Sequence, residues 1–345
     1  MTKPILQELI ESEIIMDYSV YDFGTMINGI AGHYPKEYGA SFNYFYQIQV
    51  DGIASDVGIS DIDYEKDMVI SFVETSTLSE FDQRVDDFIY TFINDELETY
   101  LNDDGVDYMV TASLKQLVDN NYILLNFDEY YTFSNLSSVD ELDLLSTGEL
   151  LKIGIPYFIE NGSLDTYKNT VLDQTIDNPY AAIAYLEALY LTSTKDEQAA
   201  NSLMTQVVDK QDFAGMSLLA LSPYSDLNDF AAYLESTTNY IKTNLTPTGV
   251  QSWGASNSSS TSTVILGLVA QGVNPQDVAY QVDGIGLVEA LMLYQVGNGF
   301  KWKLSDENID DMFSTPQAFA ALVAYKLSRD VWGFPSTNIF DLNQA

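Results

Sequence analysis

The chain has 345 residues and a formal net charge of −37, from 51 acidic and 14 basic residues, with no cysteine and a single histidine. So negative a surface repels nucleic acid and anionic lipid. The absence of cysteine excludes disulfide staples, thiolate zinc sites, iron–sulfur clusters and cysteine nucleophiles.

Hydrophobic residues make up 46% of the chain, enough to bury a sizeable core. No apolar run approaches the ~20 residues needed to span a bilayer. The opening MTKPILQELIESE has none of the basic, apolar and small-residue order of a signal peptide. The expectation is a cytoplasmic protein or a piece of a longer secreted chain. The acidic excess is spread along the sequence and reads as a solvated surface. Calcium binding or adaptation to salt is the functional alternative, although no segment matches the spaced loop of an EF-hand.

In chain order, residues 18–32, YSVYDFGTMINGIAG, space Val20, Phe23, Met26, Ile27 and Ile30 at helical intervals. Gly32 is placed to end such a helix. Residues 42–51 alternate: Phe42, Tyr44, Tyr46, Ile48 and Val50 fall on one face, as in a half-buried strand. Asp51-Gly52 offers a tight turn, and Ile53-Ala54-Ser55 can begin the return. Met68–Val73 is a further apolar run, after the turn-like Glu65-Lys66-Asp67. Residues 1–76 therefore predict a small α+β domain.

From residue 78 the period changes to three and four. Helices are expected over 80–101, 108–120, 138–152, 179–192, 196–208, 212–221, 227–244, 260–271, 275–280, 284–295 and 315–328. No strand is expected after residue 78. DFAGMSLLAL (212–221), TSTVILGLVAQG (261–272) and TPQAFAALVAYKL (315–327) share one design, a polar start followed by a helix dense in Ala, Leu, Val and Gly. Their starts lie about 50 residues apart, room for one inner helix, one outer helix and two loops. NPYAAIAYLEALYL (178–191) resembles an earlier member. The intervening FAAYLESTTNYIKTNL (230–245) is amphipathic. A helix apolar on all sides must be surrounded by protein, so inner and outer layers are expected over 77–345. The polar starts of the inner helices should then share one end, where backbone N–H groups and hydroxyls are free.

SSSTSTVILGLVAQGVNPQD, STPQAFAALVAYKL, DFAGMSLLALSPYSD and Trp253 in QSWGASNSSSTST resemble the α/α-toroid repeats of the prenyltransferase and terpene-cyclase superfamily, well over 178–342 and weakly over 78–177. FGTMINGIAG, FNYFYQIQVDGIASDVGISD and KDMVISFVE resemble the β-grasp domain found at the C-terminus of transcobalamin and in bacterial surface proteins. The resemblance implies a multi-domain chain, α+β then all-α: a β-grasp-like module at 1–76 followed by an α/α toroid of helical hairpins at 77–345. Cobalamin carriers pair the same domain types in the opposite order. The resemblance thus implies an extracellular or cell-surface binding protein of bacterial type. It would hold a small organic ligand at the toroid mouth or between domains, with cobalamin or a related corrinoid as the candidate.

The superfamily's catalytic chemistry is mostly missing. Prenyltransferase zinc needs Asp, Cys and His, and here the only histidine, His33, lies in the N-terminal domain. Asn308-Ile309-Asp310-Asp311 departs from the cyclase DxDD acid at its first position. Asp86-Asp87 and Asn102-Asp103-Asp104-Gly105 lack the third carboxylate of a diphosphate-binding motif. The candidate ligand contacts are Tyr180, Asp212, Trp253, Ser260, Thr261, Thr263, Trp302 and Gln317. Against that stands the reading of the aromatics, Tyr294 included, as core, and of the hydroxyls as helix caps. The function expected is non-catalytic binding. A structural or adhesive surface module is the alternative, and a terpenoid cyclase using Asp310 and Asp311 a second.

Overall fold

The computed structural model of the chain describes residues 4–342 apart from 15, 23, 103–104, 133–138 and 162–163. It is a mixed α+β structure with small antiparallel sheets and a helix-rich C-terminal part. The chain forms two compact units. The first runs to Gln83 and includes Asn120–Leu124; the second comprises Arg84–Asp119 and the chain from Leu125 onward.

In the first unit, α1 (Ile5–Glu11) precedes a hairpin of β1 (Met16–Tyr21) and β2 (Gly24–Ile30). The helix expected over 18–32 is therefore a pair of strands. The helical spacing of its apolar residues is overridden at Gly24, which at φ +135° takes a conformation no helix contains. A bulge opposite Asp17/Tyr18 inserts the buried Asn28, whose Nδ2 donates to Ser19 Oγ at 2.8 Å. Phe23, part of that expectation, lies outside the described residues. Gly32 is left-handed as expected, but in a two-residue turn with Ala31 that pairs Ile30 with His33.

The alternating segment forms β3 (Tyr44–Val50), the middle strand between β4 (Ile53–Ala54) and β5 (Ile70–Ser76). Phe42 precedes the strand and is exposed. The Asp51-Gly52 turn has both residues at positive φ, the geometry that matches strand twist. Register places Ile48 opposite Phe72 and Val50 opposite Ile70. These side chains pack on the buried Ile5, Ile27, Ile59 and Ile62.

In the second unit the helices are α2 (Glu80–Asp95), α3 (Leu97–Tyr100), α4 (Tyr108–Asp119), α5 (Thr147–Asn161), α6 (Asp165–Leu172), α7 (Pro179–Tyr190), α8 (Glu197–Met204), α9 (Gln211–Leu221), α10 (Phe230–Thr243), α11 (Ser258–Ala270), α12 (Leu287–Met292) and α13 (Ser314–Arg329). The helix expected over 138–152 is instead a 3-10 turn at Val139–Leu144 followed by α5, which runs on through Gly154 and Pro156. Helix α6 was not expected. The 275–280 segment holds only the 3-10 turn Val278–Tyr280.

Helices α9, α11 and α13 are buried almost throughout, with Ser259 and Gln317 among the few half-exposed positions. Helix α4 packs on α5, α5 on α7, α7 on α9, α9 on α11, α11 on α13, and α13 on α4. The shorter or amphipathic α8, α10 and α12 pack on α7, α9 and α11 respectively. Backbones approach closest between α9 and α11: a Cβ built on Gly267 would stand 2.3 Å from the carbonyl oxygen of Gly215. At the C-terminal ends of these helices lies the last described segment. Thr337 N–H donates to Val269 O at 3.2 Å, and Asn338 Nδ2 donates to Leu219 O at 3.3 Å. Both carbonyls also accept backbone N–H groups at their own helix ends, Val269 O from Gly272 and Leu219 O from Ser222.

Short hairpins contradict the expectation of no strand after 78. β6 (Leu101–Asn102) pairs with β7 (Gly105–Val106) just before α4. β8 (Leu245–Thr246), β9 (Gly249–Ser252) and β10 (Ala255–Ser256) form a meander before α11. β11 (Gln295–Val296) pairs with β12 (Gly299–Phe300) before α13. Two-residue strands carry too little alternation to be read from sequence. Their common mark is the return glycine, Gly105, Gly249 or Gly299, followed by an apolar residue. The hairpins are docked alike: Val250 N–H donates to Thr261 Oγ1 at 3.2 Å, and Phe300 N–H to Thr315 Oγ1 at 2.9 Å.

Candidate functional site

The first turns of α9, α11 and α13 converge on a cavity of about 470 Å³. Helix α9 contributes Asp212 and Met216; α11 contributes Ser259, Ser260 and Thr263; α13 contributes Gln317. Asn257 caps α11 by accepting Ser260 N–H at 2.8 Å, and it also lines the wall. Trp253, Trp302, Asp310 and Phe313 complete the wall from the loops that enter these helices.

Trp253 is 62% exposed and sits at φ +54°, followed by Gly254 at φ +82°, at the tip of the β9–β10 hairpin. Asn or Gly usually fills that left-handed position, where a bulky residue carries strain of about 1–3 kcal/mol. Lys210 Nζ lies 4.5 Å from the Trp253 ring centroid and Lys303 Nζ 3.9 Å from that of Trp302. Trp302 is held by its backbone, its carbonyl accepting Ser258 N–H at 3.0 Å.

Two carboxylates face the cavity in different states of engagement. Asp310 Oδ1 accepts the amides of Met312 and Phe313 at 3.2 Å, and Oδ2 accepts Ser314 N–H at 3.2 Å and Ser314 Oγ at 2.8 Å. It thus caps the start of α13. Asp212 Oδ1 accepts Ser252 Oγ at 3.0 Å. Gln317 Oε1 is buried with no hydrogen-bond partner among the described residues. Ser259 and Ser314 hydroxyls meet at 3.0 Å.

The structure brings Asp212, Trp253, Ser260, Thr263, Trp302 and Gln317 of the candidate set together on this wall. It does not bring in Tyr180 or Thr261. The Tyr180 ring packs edge-on against Phe213 at 5.5 Å. Burial, then the charges of Asp212 and Asp209, push its phenol up to about 12, so it stays neutral at ordinary pH. Thr261 Oγ1 donates to Asn257 O at 2.7 Å and accepts Val250 N–H, a docking role. Tyr294 is core, its hydroxyl donating to Thr248 O at 2.7 Å.

Sequence reasoning missed Met216, Asn257 and Phe313 as wall residues, and took Ser259 only as part of the hydroxyl-rich stretch Ser258–Thr263. Met216 lies one turn beyond Asp212, and Ser259 one turn before Thr263; the i, i+4 spacing was the available signal. Asp310 was weighed as a catalytic acid and, more readily, as part of a solvated loop or helix start before Met312-Phe313. Its partner in the catalytic reading, Asp311, accepts the Tyr100 hydroxyl at 3.4 Å.

Other acidic motifs have structural employment. Asp86 is fully buried and takes both contacts from Arg329 Nη2, at 2.9 and 3.1 Å, with Lys326 Nζ at 3.2 Å. Asp330 neutralises the second cation, 2.9 Å from Lys326 Nζ. The turn at Asp103-Asp104 lies outside the described residues. Among the described residues no group of three His, Asp or Glu is placed to hold a metal ion, and no helix is long and apolar enough to cross a membrane. No protein-family model, curated protein or solved structure matches this chain.

Proposed function

We propose that the helical unit is an α/α toroid that binds a small organic ligand at the N-terminal mouth of its inner helices, without catalysing a reaction on it. The single observation that carries this reading is the cavity formed by the first turns of α9, α11 and α13, with the exposed Trp253 at its rim. The succession of packed helices from α4 to α13, returning to α4, supports the toroid. The C-terminal segment across the opposite helix ends supports a basin with one open end. The β-grasp resemblance of the first unit and a bacterial cell-surface setting belong to the same proposal.

A cavity of about 470 Å³ suits a ligand of one or two rings. A corrinoid macrocycle would rest on the mouth rather than enter it. Two of the chain's three tryptophans, Trp253 and Trp302, line the cavity, so intrinsic fluorescence is a direct probe. Titration with a fragment library and with cyanocobalamin is expected to give saturable changes that disappear in the Trp253→Phe/Trp302→Phe variant. Saturable binding of cyanocobalamin that excludes the fragments would make a corrinoid the occupant. Absence of any tryptophan-dependent binding would remove the proposal.

A further inference from the structure

We infer that the ligand class is a neutral polyhydroxylated ring, a monosaccharide or cyclitol, held with its C–H face on Trp253 and its hydroxyls on the α9, α11 and α13 starts. This rests on the binding reading above and narrows it.

The hydrogen-bonding inventory of the wall is the first argument. Gln317 adds a side-chain amide to the wall. Asp212 accepts the Ser252 hydroxyl through Oδ1, leaving Oδ2 open to a second donor. Ser260 adds a hydroxyl that can donate or accept, on the same helix face as Ser259 and Thr263. Short polar groups arranged around a concave wall, several of them asking for donors, match a ligand that carries hydroxyls around its edge. An apolar ring would strip water from the Asp212 carboxylate and these hydroxyls without replacing its hydrogen bonds, so such a wall discriminates against it.

Charge is the second. No Lys or Arg is among the described residues lining the cavity, and the carboxylates of Asp212 and Asp310 on its wall oppose a phosphate or carboxylate. An organic cation would approach two indoles that each already carry a lysine ammonium, Lys210 by Trp253 and Lys303 by Trp302, and be repelled by it. Asp310, the second carboxylate, is engaged by the amides that begin α13. A neutral ligand displaces none of these charges.

The third is aromatic placement. Trp253 is held out at a strained left-handed position, and Phe313 beside the cavity is 57% exposed. An amphipathic ring with an apolar C–H face and a polar rim covers such a surface while its hydroxyls reach the helix starts.

The test is saturation-transfer NMR on the full chain, with methyl glucoside, methyl galactoside, methyl mannoside, N-acetylglucosamine and myo-inositol as probes. Choline, phenyl phosphate and indole serve as cationic, anionic and apolar comparators. At least one polyol is expected to receive saturation on its ring C–H protons, with affinity reduced fivefold or more by Trp253→Ala and by Asp212→Asn. Circular dichroism identical to that of the parent shows that both variants are folded. Site-dependent signals from choline, phenyl phosphate or indole, with none from any polyol, would overturn the ligand class and leave the binding reading standing. No Trp253-dependent signal from any probe would overturn both.

Discussion

Gly267 of α11 lies against Gly215 of α9 so closely that a Cβ on Gly267 would stand 2.3 Å from Gly215 O, and one on Gly215 would stand 2.3 Å from Thr263 O. Backbone has nowhere to yield without parting the helices that wall the cavity. Gly267→Ala is therefore expected to destabilise the second unit by about 1–3 kcal/mol through overpacking, despite alanine's better helix propensity. Thermal denaturation followed by circular dichroism measures it. An unchanged or raised Tm would show that the close approach is not a constraint.

The two docked hairpins make a matched pair. Thr261→Val and Thr315→Val each keep the side-chain shape but leave a buried amide, Val250 N–H or Phe300 N–H, without its acceptor. Each is expected to lose about 1–3 kcal/mol in urea denaturation. Because Thr261 stands off the cavity wall, its variant should keep ligand affinity, whereas Trp253→Ala should lose affinity and keep stability. The reverse pattern would place the binding surface elsewhere.

Lys326, Arg329, Asp86 and Asp330 form a balanced buried cluster that ties α2 to α13. Asp86→Ala takes a fully buried carboxylate away from Lys326 and Arg329, a loss expected to be worth about 3–5 kcal/mol. Equilibrium unfolding of the single variant checks this. A loss under about 1 kcal/mol would mean that water reaches the cluster.

Glu187 on α7 is buried, and burial alone pushes its carboxyl up to about 8. Unfolded, it titrates in the ordinary carboxylate range, at ~4.3. Between those values the folded state holds a proton that the unfolded state has released, so stability falls as pH rises through that window. The slope from this group is at most about 1.4 kcal/mol per pH unit. Glu187→Gln is expected to match the parent near pH 4 and to be the more stable protein at pH 8. Chemical denaturation of both proteins at several pH values isolates the difference from the background of the other carboxylates. Parallel stability–pH curves would show that Glu187 is hydrated.

Much of the inner-helix reading rests on local composition. A segment such as TSTVILGLVAQG cannot present a polar face in any helical orientation, so its burial follows from the sequence alone. The polar starts at Ser258–Thr263, at Asp212 and at Thr315-Pro316-Gln317 are equally visible in the local sequence, although of these three helices only α11 is capped by the side chain of the residue just before it, Asn257 accepting Ser260 N–H. Where the reading failed, pairing between strands overrode a local pattern. Val20, Met26, Ile27 and Ile30 fall at helical intervals, yet they lie on two paired strands, with Val20 opposite Thr25 and Ile30 opposite Met16. The break of residues 138–152 into a 3-10 turn and a displaced helix has the same origin: which apolar residues find a surface depends on the neighbours offered.

Composition and periodicity by themselves determined which segments must be buried, near which residues their helices begin, and that disulfides and thiolate metal sites are excluded. Only the tertiary structure decided which hydroxyls face the cavity and which dock a hairpin, as Thr263 and Thr261 divide between them. It also turned Asp310 into a helix cap and Asp86 into half of a charge cluster. The physical reason is that burial is a property of a side chain's own chemistry. Orientation toward a shared space depends on helices distant in sequence packing together, and no local pattern encodes that.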